Sequence, residues 1–196
     1  MTELNKEYWK GKYELSQTGW DIGHVSTPIK AYIDQLKNKE LKILIPGAGN
    51  AYEGEYLFNQ GFKNVFLLDY AELPFDNLLK RCPKFPKEQL LNENFFTHND
   101  RYDLILEQTF FSAIHPSNRK DYVNKIYDLL KENGSLVGLL FGIDFGNPHP
   151  PFGGSSALYK KLFSPLFSIK VLDEAHNSIE PRSGSELFII ARKKAN

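Results

Sequence analysis

The chain lacks several features that would tie it to a particular compartment or partner. Its 196 residues include one cysteine, Cys82, so an intramolecular disulfide is excluded. Basic and acidic residues number 24 each, and this balance does not favour nucleic acid or an anionic membrane as a partner. No apolar run approaches the roughly 20 residues of a membrane span, and the N-terminus has no apolar signal core. We therefore expect a cytoplasmic protein that acts on a small molecule, with neither nucleic acid nor membrane as a partner.

Metal ligands are also missing from the pattern. The five histidines have no spacing typical of a metal site, so no metal is predicted. The length suits one well-buried domain that spans residues 1–196. No heptad repeat or long exposed apolar edge indicates a partner chain, so the sequence leaves the oligomeric state open.

What the chain does contain is a strand, a glycine turn and a helix in direct succession. Residues 41–45 form an apolar run typical of a buried parallel strand. The turn Pro46-Gly47-Ala48-Gly49 follows, and a helical pattern covers residues 50–60. Asp69 ends the next strand, 22 positions after Gly47, where an acidic side chain would meet ribose hydroxyls. This order predicts a nucleotide-type binding site at the glycine turn.

The remaining pattern alternates between strands and helices and then changes near the C-terminus. We predict a helix over residues 117–131 with Ser117 as its cap candidate, and no helix over residues 173–185. Two strands joined without a helix should be antiparallel. The predicted fold is therefore α/β: a single-domain, Rossmann-like, seven-stranded sheet with helices on both faces and a terminal antiparallel strand pair, which resembles the sheet of class I methyltransferases. The predicted strands cover residues 41–45, 64–68, 102–107, 135–141, 166–172 and 186–192, and the span 88–96 contains a further strand, third in chain order, together with its exit loop.

The glycine turn does not fit an NAD site. The NAD fingerprint requires a small residue three positions after its second glycine, where the helix packs closely on the strand. That position holds Tyr52. The large ring and the antiparallel ending both favour S-adenosylmethionine over NAD.

Four sequence blocks, in the right order, resemble those of one known family. They are Tyr8-Trp9 with residues 18–23; residues 44–49 followed by Asp69; residues 102–105 followed by Phe110, Ala113, Ile114, Pro116, Arg119 and Tyr122; and Pro150-Pro151-Phe152. The chain thus resembles the thiopurine, thiol and halide methyltransferases over about residues 7–192. The chain departs from the family's pattern at three positions. Ala48 stands where members have Cys, Asn94 where they often have Asp, and His149 where they have Gly.

The resemblance implies S-adenosylmethionine as the cofactor and assigns residues to it. It places residues 1–38 as an N-terminal aromatic cap over the cofactor, where the faces of aromatic rings attract a sulfonium cation. It also implies that Asp69 binds the ribose and that Asn94 and Phe95 frame the adenine. The cofactor-binding candidates are Trp9, Tyr13, Trp20, Gly47, Gly49, Asp69, Asn94, Phe95 and Glu107.

The implied reaction is a direct displacement in which a small soft nucleophile, such as a thiol, a thiopurine-like compound or a halide, takes the methyl group. Candidates on the substrate side are Arg119, His149 and Phe152, and His115 or His149 could assist as a base for a thiol. No Ser-His-Asp or Cys-His set is present, as expected for a nucleophile that is already ionised. Two alternatives stay open: an O- or N-methyltransferase of the same fold, and a non-catalytic protein that binds S-adenosylmethionine.

Overall fold

The computed structural model describes residues 4–195, whose strands form one seven-stranded sheet. The strands are β1 (Lys42–Pro46), β2 (Asn64–Leu68), β3 (Leu90–Leu91), β4 (Tyr102–Gln108), β5 (Leu130–Phe141), β6 (Phe167–Glu174) and β7 (Glu186–Lys193). Their order across the sheet is β3-β2-β1-β4-β5-β7-β6. The first five strands are parallel, and β7 lies antiparallel between β5 and β6. The seven-stranded α/β sheet and its antiparallel ending are therefore confirmed.

Helices cover both faces of this sheet, as predicted. They are α1 (Lys6–Glu14), α2 (Thr27–Ile33), α3 (Tyr52–Asn59), α4 (Leu73–Arg81), α5 (Phe110–Ala113), α6 (Arg119–Leu129) and α7 (Ser156–Phe163). Successive side chains of β1 point to opposite faces of the sheet and therefore belong to two separate parts of the core. Leu44 packs with α5, α6 and α7, whereas Ile43 and Ile45 pack with α2, α3 and α4. Within the described residues, no helix combines the length and the apolarity that crossing a membrane requires.

Element boundaries depart from the predicted spans most clearly at three places. The third strand is only Leu90–Leu91, within the predicted span 88–96, and Asn94 and Phe95 follow it in the exit loop. The helix predicted from residue 117 begins at Arg119, and Ser117 does not cap it because its hydroxyl lies 2.7 Å from Nδ1 of His115. β5 begins at Leu130, inside the span predicted as helix, because Leu130 already pairs with Tyr102 of β4. The residues between Leu130 and Ser135 form an irregularity, and regular pairing resumes at Ser135.

Tyr52 does not mark the close contact between α3 and the sheet. That contact is at Gly54, where a Cβ atom would lie 2.5 Å from the side chain of Leu67. The ring of Tyr52 instead packs against the guanidinium of Arg81, 4.5 Å from the ring centre. The interpretation of position 52 was wrong, because the small residue that permits close packing comes two positions later. The argument against NAD therefore depends on the antiparallel ending and not on Tyr52.

Candidate active site

A large cavity opens where the parallel strands end. Its volume is about 1430 Å³, and its lining divides along the sheet. One half comes from α1, residues 15–24 and the segments that follow β1, β2 and β3. We call it the nucleotide half. The other half follows β4 and β5 and includes residues 181–185 before β7. We call it the acceptor half.

The glycine turn at the end of β1 is enclosed by two aromatic side chains. Gly47 and Gly49 have φ angles of +59° and +53°, in the left-handed region that glycine adopts readily. A Cβ atom on Gly47 would lie 2.3 Å from the ring of Phe110. A Cβ atom on Gly49 would lie 3.0 Å from the hydroxyl oxygen of Tyr13. At Gly47 the backbone angle and the limited space both require glycine, whereas at Gly49 the backbone angle favours glycine and an added Cβ atom would only displace the Tyr13 hydroxyl slightly.

Asp69 follows β2 and fixes the glycine turn from the side. Its carboxylate is 8% exposed and accepts hydrogen bonds from the backbone N–H groups of Gly49 and Ala71, each at 2.9 Å. Burial raises the pKa of Asp69, and these N–H groups partly oppose that rise. Each carboxylate oxygen keeps a further lone pair, so the group can still accept hydrogen bonds from a ligand.

Asn94 and Phe95 lie beside Asp69 in the cavity lining. The side-chain oxygen of Asn94 accepts the N–H of Phe96 at 2.8 Å, which leaves its NH₂ group to donate to a ligand. Phe95 is 2% exposed and stacks on Tyr122, with ring centres 5.4 Å apart. Most of this ring therefore belongs to the core, and only part of it reaches the cavity.

Three aromatic residues of the N-terminal region form a cluster above the glycine turn. Trp20 makes edge-to-face contacts with Trp9 and Tyr13, with ring centres 5.5 and 5.7 Å apart. Burial holds the pKa of Tyr13 well above its usual range, and the negative charge of Asp69 raises it further. The Tyr13 hydroxyl therefore stays neutral. The structure brings these three side chains, both glycines, Asp69, Asn94 and Phe95 together in one lining.

Polar contacts that the sequence reasoning missed hold the N-terminal region in place. The amide of Asn50 donates to the carboxylate of Asp21. Arg182 donates to the carbonyl of Trp20 at 2.7 Å and to the buried carboxylate of Glu186 at 3.3 Å. The stretch that contains Arg182 was interpreted only as a polar connection between strands. A lone arginine in a polar stretch gives no local signal of a contact so distant in sequence.

Glu107 lies beneath the cavity and not in its lining, as far as the described residues define it. Its side chain is fully buried and accepts the backbone N–H of Phe111 at 2.8 Å and the hydroxyl of Tyr122. It thereby ties the start of α5 to α6. Its geometry makes it a support for Phe110 and the acceptor half, which is a different place from the cofactor contact that the sequence predicted.

The stability of the protein should depend on pH through Glu107. Burial raises the pKa of Glu107 from 4.5 to about 7, against the opposing effect of its hydrogen bonds. Because the folded state then holds the proton more tightly than the unfolded state, this stabilisation is complete below about pH 4.5 and is lost as the pH rises through about 7. The difference corresponds to about 3 kcal/mol.

Denaturant unfolding at pH 5 and pH 8 measures this effect in the wild type and in Glu107→Gln. We expect the free energy of unfolding to fall with rising pH in the wild type and to fall much less in the variant. Burial also raises the pKa of Glu53 and of Asp69, but both carboxylates are present in the two proteins. An equal pH dependence in the two proteins would contradict the role of Glu107.

Arg119 is buried rather than directed into the cavity. Its side chain is 4% exposed and, within the described chain, is absent from the cavity lining. The guanidinium donates to the carbonyls of Phe152 and Gly153, each at 3.0 Å. The two other substrate-side candidates, His149 and Phe152, do line the acceptor half. Arg119 therefore holds the segment that carries Phe152, a role that the sequence prediction did not include.

Comparison with known proteins identifies the chain. The sequence model of the thiopurine S-methyltransferase family matches residues 4–193. The chain belongs to this family. Its members by name are methyltransferases, and the chain is accordingly a methyltransferase that uses S-adenosylmethionine.

Two plant proteins and one solved structure illustrate the similarity. The chain is 28% identical to the Arabidopsis thaliana protein named "Probable thiol methyltransferase 2", over 95% of this chain and 84% of that protein. It is 27% identical to thiocyanate methyltransferase 1 of Brassica oleracea, over 91% and 81%. The fold matches the Burkholderia thailandensis 1,6-didemethyltoxoflavin-N1-methyltransferase with bound S-adenosylhomocysteine, with a TM-score of 0.76, 19% identity and coverage of 98% and 88%.

Proposed function

We propose that this methyltransferase transfers the methyl group to a small soft nucleophile, such as a thiol, a thiopurine-like compound or a halide, by direct displacement. The chemistry of the acceptor half is the observation that carries the proposal. Within the described residues, this half contains no Asp or Glu. A phenol or an ammonium acceptor needs a base to remove its proton, and of the lining residues of this half within residues 4–195 only His115 and His149 have a side chain suited to that task. A thiolate or a halide needs none.

The nucleotide half has the groups that S-adenosylmethionine requires. We assign the ribose hydroxyls to Asp69 and one adenine edge to the NH₂ group of Asn94, with the exposed part of Phe95 beside the ring. The turn at Gly47 and Gly49 would receive the methionine portion. The cavity volume of about 1430 Å³ exceeds the roughly 300–1,000 Å³ typical of a single small-molecule pocket, so a donor and an acceptor can both fit.

Residues 1–38 would form the cap in this proposal, although residues 1–3 lie outside the part of the chain described above. Trp9, Tyr13 and Trp20 would place aromatic faces near the sulfonium, where each cation–π contact contributes roughly 0.5–2 kcal/mol. The same rings exclude water. When bound, the cofactor supplies an electrophilic methyl group on a sulfonium.

Beyond the reactivity of the cofactor itself, the rate enhancement would come from holding the acceptor in line with the methyl group. The segment that carries Phe152 is tied down at two points, because Ser112 accepts the N–H of Phe152 at 2.7 Å and Arg119 binds its carbonyl. A rigid wall of this kind restricts where the acceptor lies. Alignment of two reactants in one cavity can lower the barrier by roughly 7–11 kcal/mol.

A methyl-transfer panel tests the proposed function. The wild-type protein is first titrated with S-adenosylhomocysteine by calorimetry, to establish that it binds the cofactor product. It is then incubated with S-adenosylmethionine and thiols, iodide, phenols or amines. We expect turnover with a thiol or iodide and rates at least about 100-fold lower with phenols and amines, which correspond to a barrier difference of about 2.7 kcal/mol or more. Faster transfer to oxygen or nitrogen would overturn the assignment, and cofactor binding without any turnover would favour a non-catalytic role.

A further inference from the structure

His115 occupies a fixed position in the acceptor half. It follows α5 directly, lines the cavity and is half-buried. Its ring packs edge-to-face on Phe152, with ring centres 5.3 Å apart. Because the backbone of Phe152 is bonded to Ser112 and Arg119, His115 rests against a wall that is itself held in place. Its ring orientation is therefore well determined.

The hydrogen bonds of His115 favour one of its two neutral tautomers. The backbone N–H of Ser117 donates to Nδ1 at 3.3 Å, and the hydroxyl oxygen of Ser117 lies 2.7 Å from the same nitrogen and 3.1 Å from Oδ1 of Asn118. A hydroxyl can either donate to Nδ1 or accept from it, whereas a backbone N–H can only donate. The contact with the backbone N–H therefore favours a lone pair on Nδ1 and a proton on Nε2.

His149 has the opposite arrangement. Its Nδ1 lies 3.0 Å from the carbonyl oxygen of Pro150, which can only accept. The proton of neutral His149 is therefore on Nδ1, and its Nε2 has the lone pair. The sequence left both histidines as possible bases, whereas the hydrogen bonds give the two rings different chemistry. Of these two residues, only His149 in its neutral form can take up a proton at Nε2.

The Nε2–H group of His115 is available to a ligand in the cavity. No hydrogen-bond partner for this nitrogen is present among residues 4–195. The surrounding walls are mainly apolar, with Ile114, Phe141 and Ile143 among them. Arg182, the cation of this half, is already bonded to Trp20 and Glu186. A half-buried donor in such a place favours a ligand that accepts a hydrogen bond, and an anion forms the strongest one.

We propose that His115 is an acceptor-contacting residue whose Nε2–H group donates a hydrogen bond to the anionic sulfur or halide of the substrate. This inference rests on the proposed function. It makes His115 a donor that selects and holds an ionised nucleophile, not a base that removes a proton from a thiol. No proton is transferred in this step: the nucleophile arrives ionised, and the proton stays on Nε2.

Nitrogen NMR of the uniformly ¹⁵N-labelled, full-length protein tests the tautomer directly and does not require activity. The spectra are recorded at a pH where the histidines are neutral, and His115→Gln and His149→Gln identify the two sets of signals. We expect His115 to be protonated on Nε2 and His149 on Nδ1. Protonation of His115 on Nδ1 would overturn the proposal, whatever the enzyme methylates.

Kinetics with two acceptors then separate a donor from a base. Wild type, His115→Phe and His115→Gln are compared with an arylthiol that is fully ionised at the assay pH and with an alkylthiol that is mostly protonated. A lost hydrogen bond to a charged group should lower kcat/KM of the Phe variant about 10- to 100-fold with the ionised acceptor, and Gln, which keeps a donor, should restore most of it. A base would be dispensable for the ionised acceptor, so a loss confined to the alkylthiol would overturn the proposal.

Anion binding keeps the test informative if the wild type turns over no acceptor. The protein loaded with S-adenosylhomocysteine is titrated with thiocyanate by calorimetry. We expect weaker binding to His115→Phe than to the wild type and to His115→Gln. Equal binding to all three proteins would overturn the role of His115, whereas failure of the proposed function would appear only in the turnover assay.

Discussion

Replacing Gly47 with alanine is expected to abolish cofactor binding and to destabilise the fold. The φ angle of +59° alone costs an L-residue roughly 1–2 kcal/mol. The new Cβ atom would also lie 2.3 Å from the ring of Phe110, so the ring or the turn must move. Overpacking of this kind typically adds about 1–3 kcal/mol. Because Phe110 begins α5, the displacement would reach both halves of the cavity.

Gly61→Ala is the matched control for this experiment. Gly61 also has a positive φ angle, +86°, but a Cβ atom there would meet nothing within 4 Å. The Gly61→Ala variant therefore has the backbone strain of Gly47→Ala but no steric clash of the new Cβ atom. Gly61 also lies outside the cavity lining defined by residues 4–195. Thermal unfolding and calorimetric titration with S-adenosylhomocysteine are measured for both variants. We expect at least a 100-fold loss of affinity in Gly47→Ala and none in Gly61→Ala; wild-type affinity in Gly47→Ala would refute the assignment of the turn.

Replacing Asp69 with asparagine should have the second largest effect. Two backbone N–H groups, from Gly49 and Ala71, donate to the two carboxylate oxygens. An amide offers one oxygen, so its NH₂ group would face one of these donors. The ribose would also lose charge-assisted hydrogen bonds of roughly 1.5–3 kcal/mol each. We therefore expect S-adenosylhomocysteine to bind about 100- to 1,000-fold more weakly.

Asp103→Asn controls for the loss of a carboxylate bonded to the backbone. Asp103 lies near the start of β4, away from the ends of the strands that form the cavity, and accepts the N–H of Lys42 at 2.8 Å. Calorimetry should give wild-type affinity for this variant, while circular dichroism verifies that both variants fold. If the two variants lost affinity equally, the effect of Asp69→Asn would reflect general destabilisation and not ribose binding.

The sheet could be predicted because its signals are local. The apolar run before Gly47, the helical pattern after it and the lack of a crossover-helix pattern between β6 and β7 each lie within a few residues of the element they specify. The third strand could be placed only within the span 88–96, because only Leu90 and Leu91 pair with β2. A two-residue strand has no period that a sequence pattern can reveal.

The cavity was predicted less completely because its contacts join distant positions. Asp69, Asn94 and the three N-terminal aromatic residues line one cavity, and their contacts with the cofactor stay a prediction. Glu107 and Arg119 were assigned to ligands, yet their side chains bond to Tyr122 and to the backbone of Phe152 and Gly153. Charged residues on a strand and a helix give no sequence signal of burial. Only the packing of α5 and α6 reveals that both side chains are internal.

The contact between Arg182 and Trp20 sets the order in which this enzyme can be assembled. The two residues are 162 positions apart, whereas the turn at Gly47 and the carboxylate of Asp69 are close in sequence. Contacts between distant positions carry a larger entropic cost of loop closure and form late in folding. A nascent chain that ends before residue 182 contains the glycine turn, but it has no Arg182 to anchor the segment that carries Trp20. Closure of the proposed cap over the methyl donor would therefore wait until residue 182 has left the ribosome.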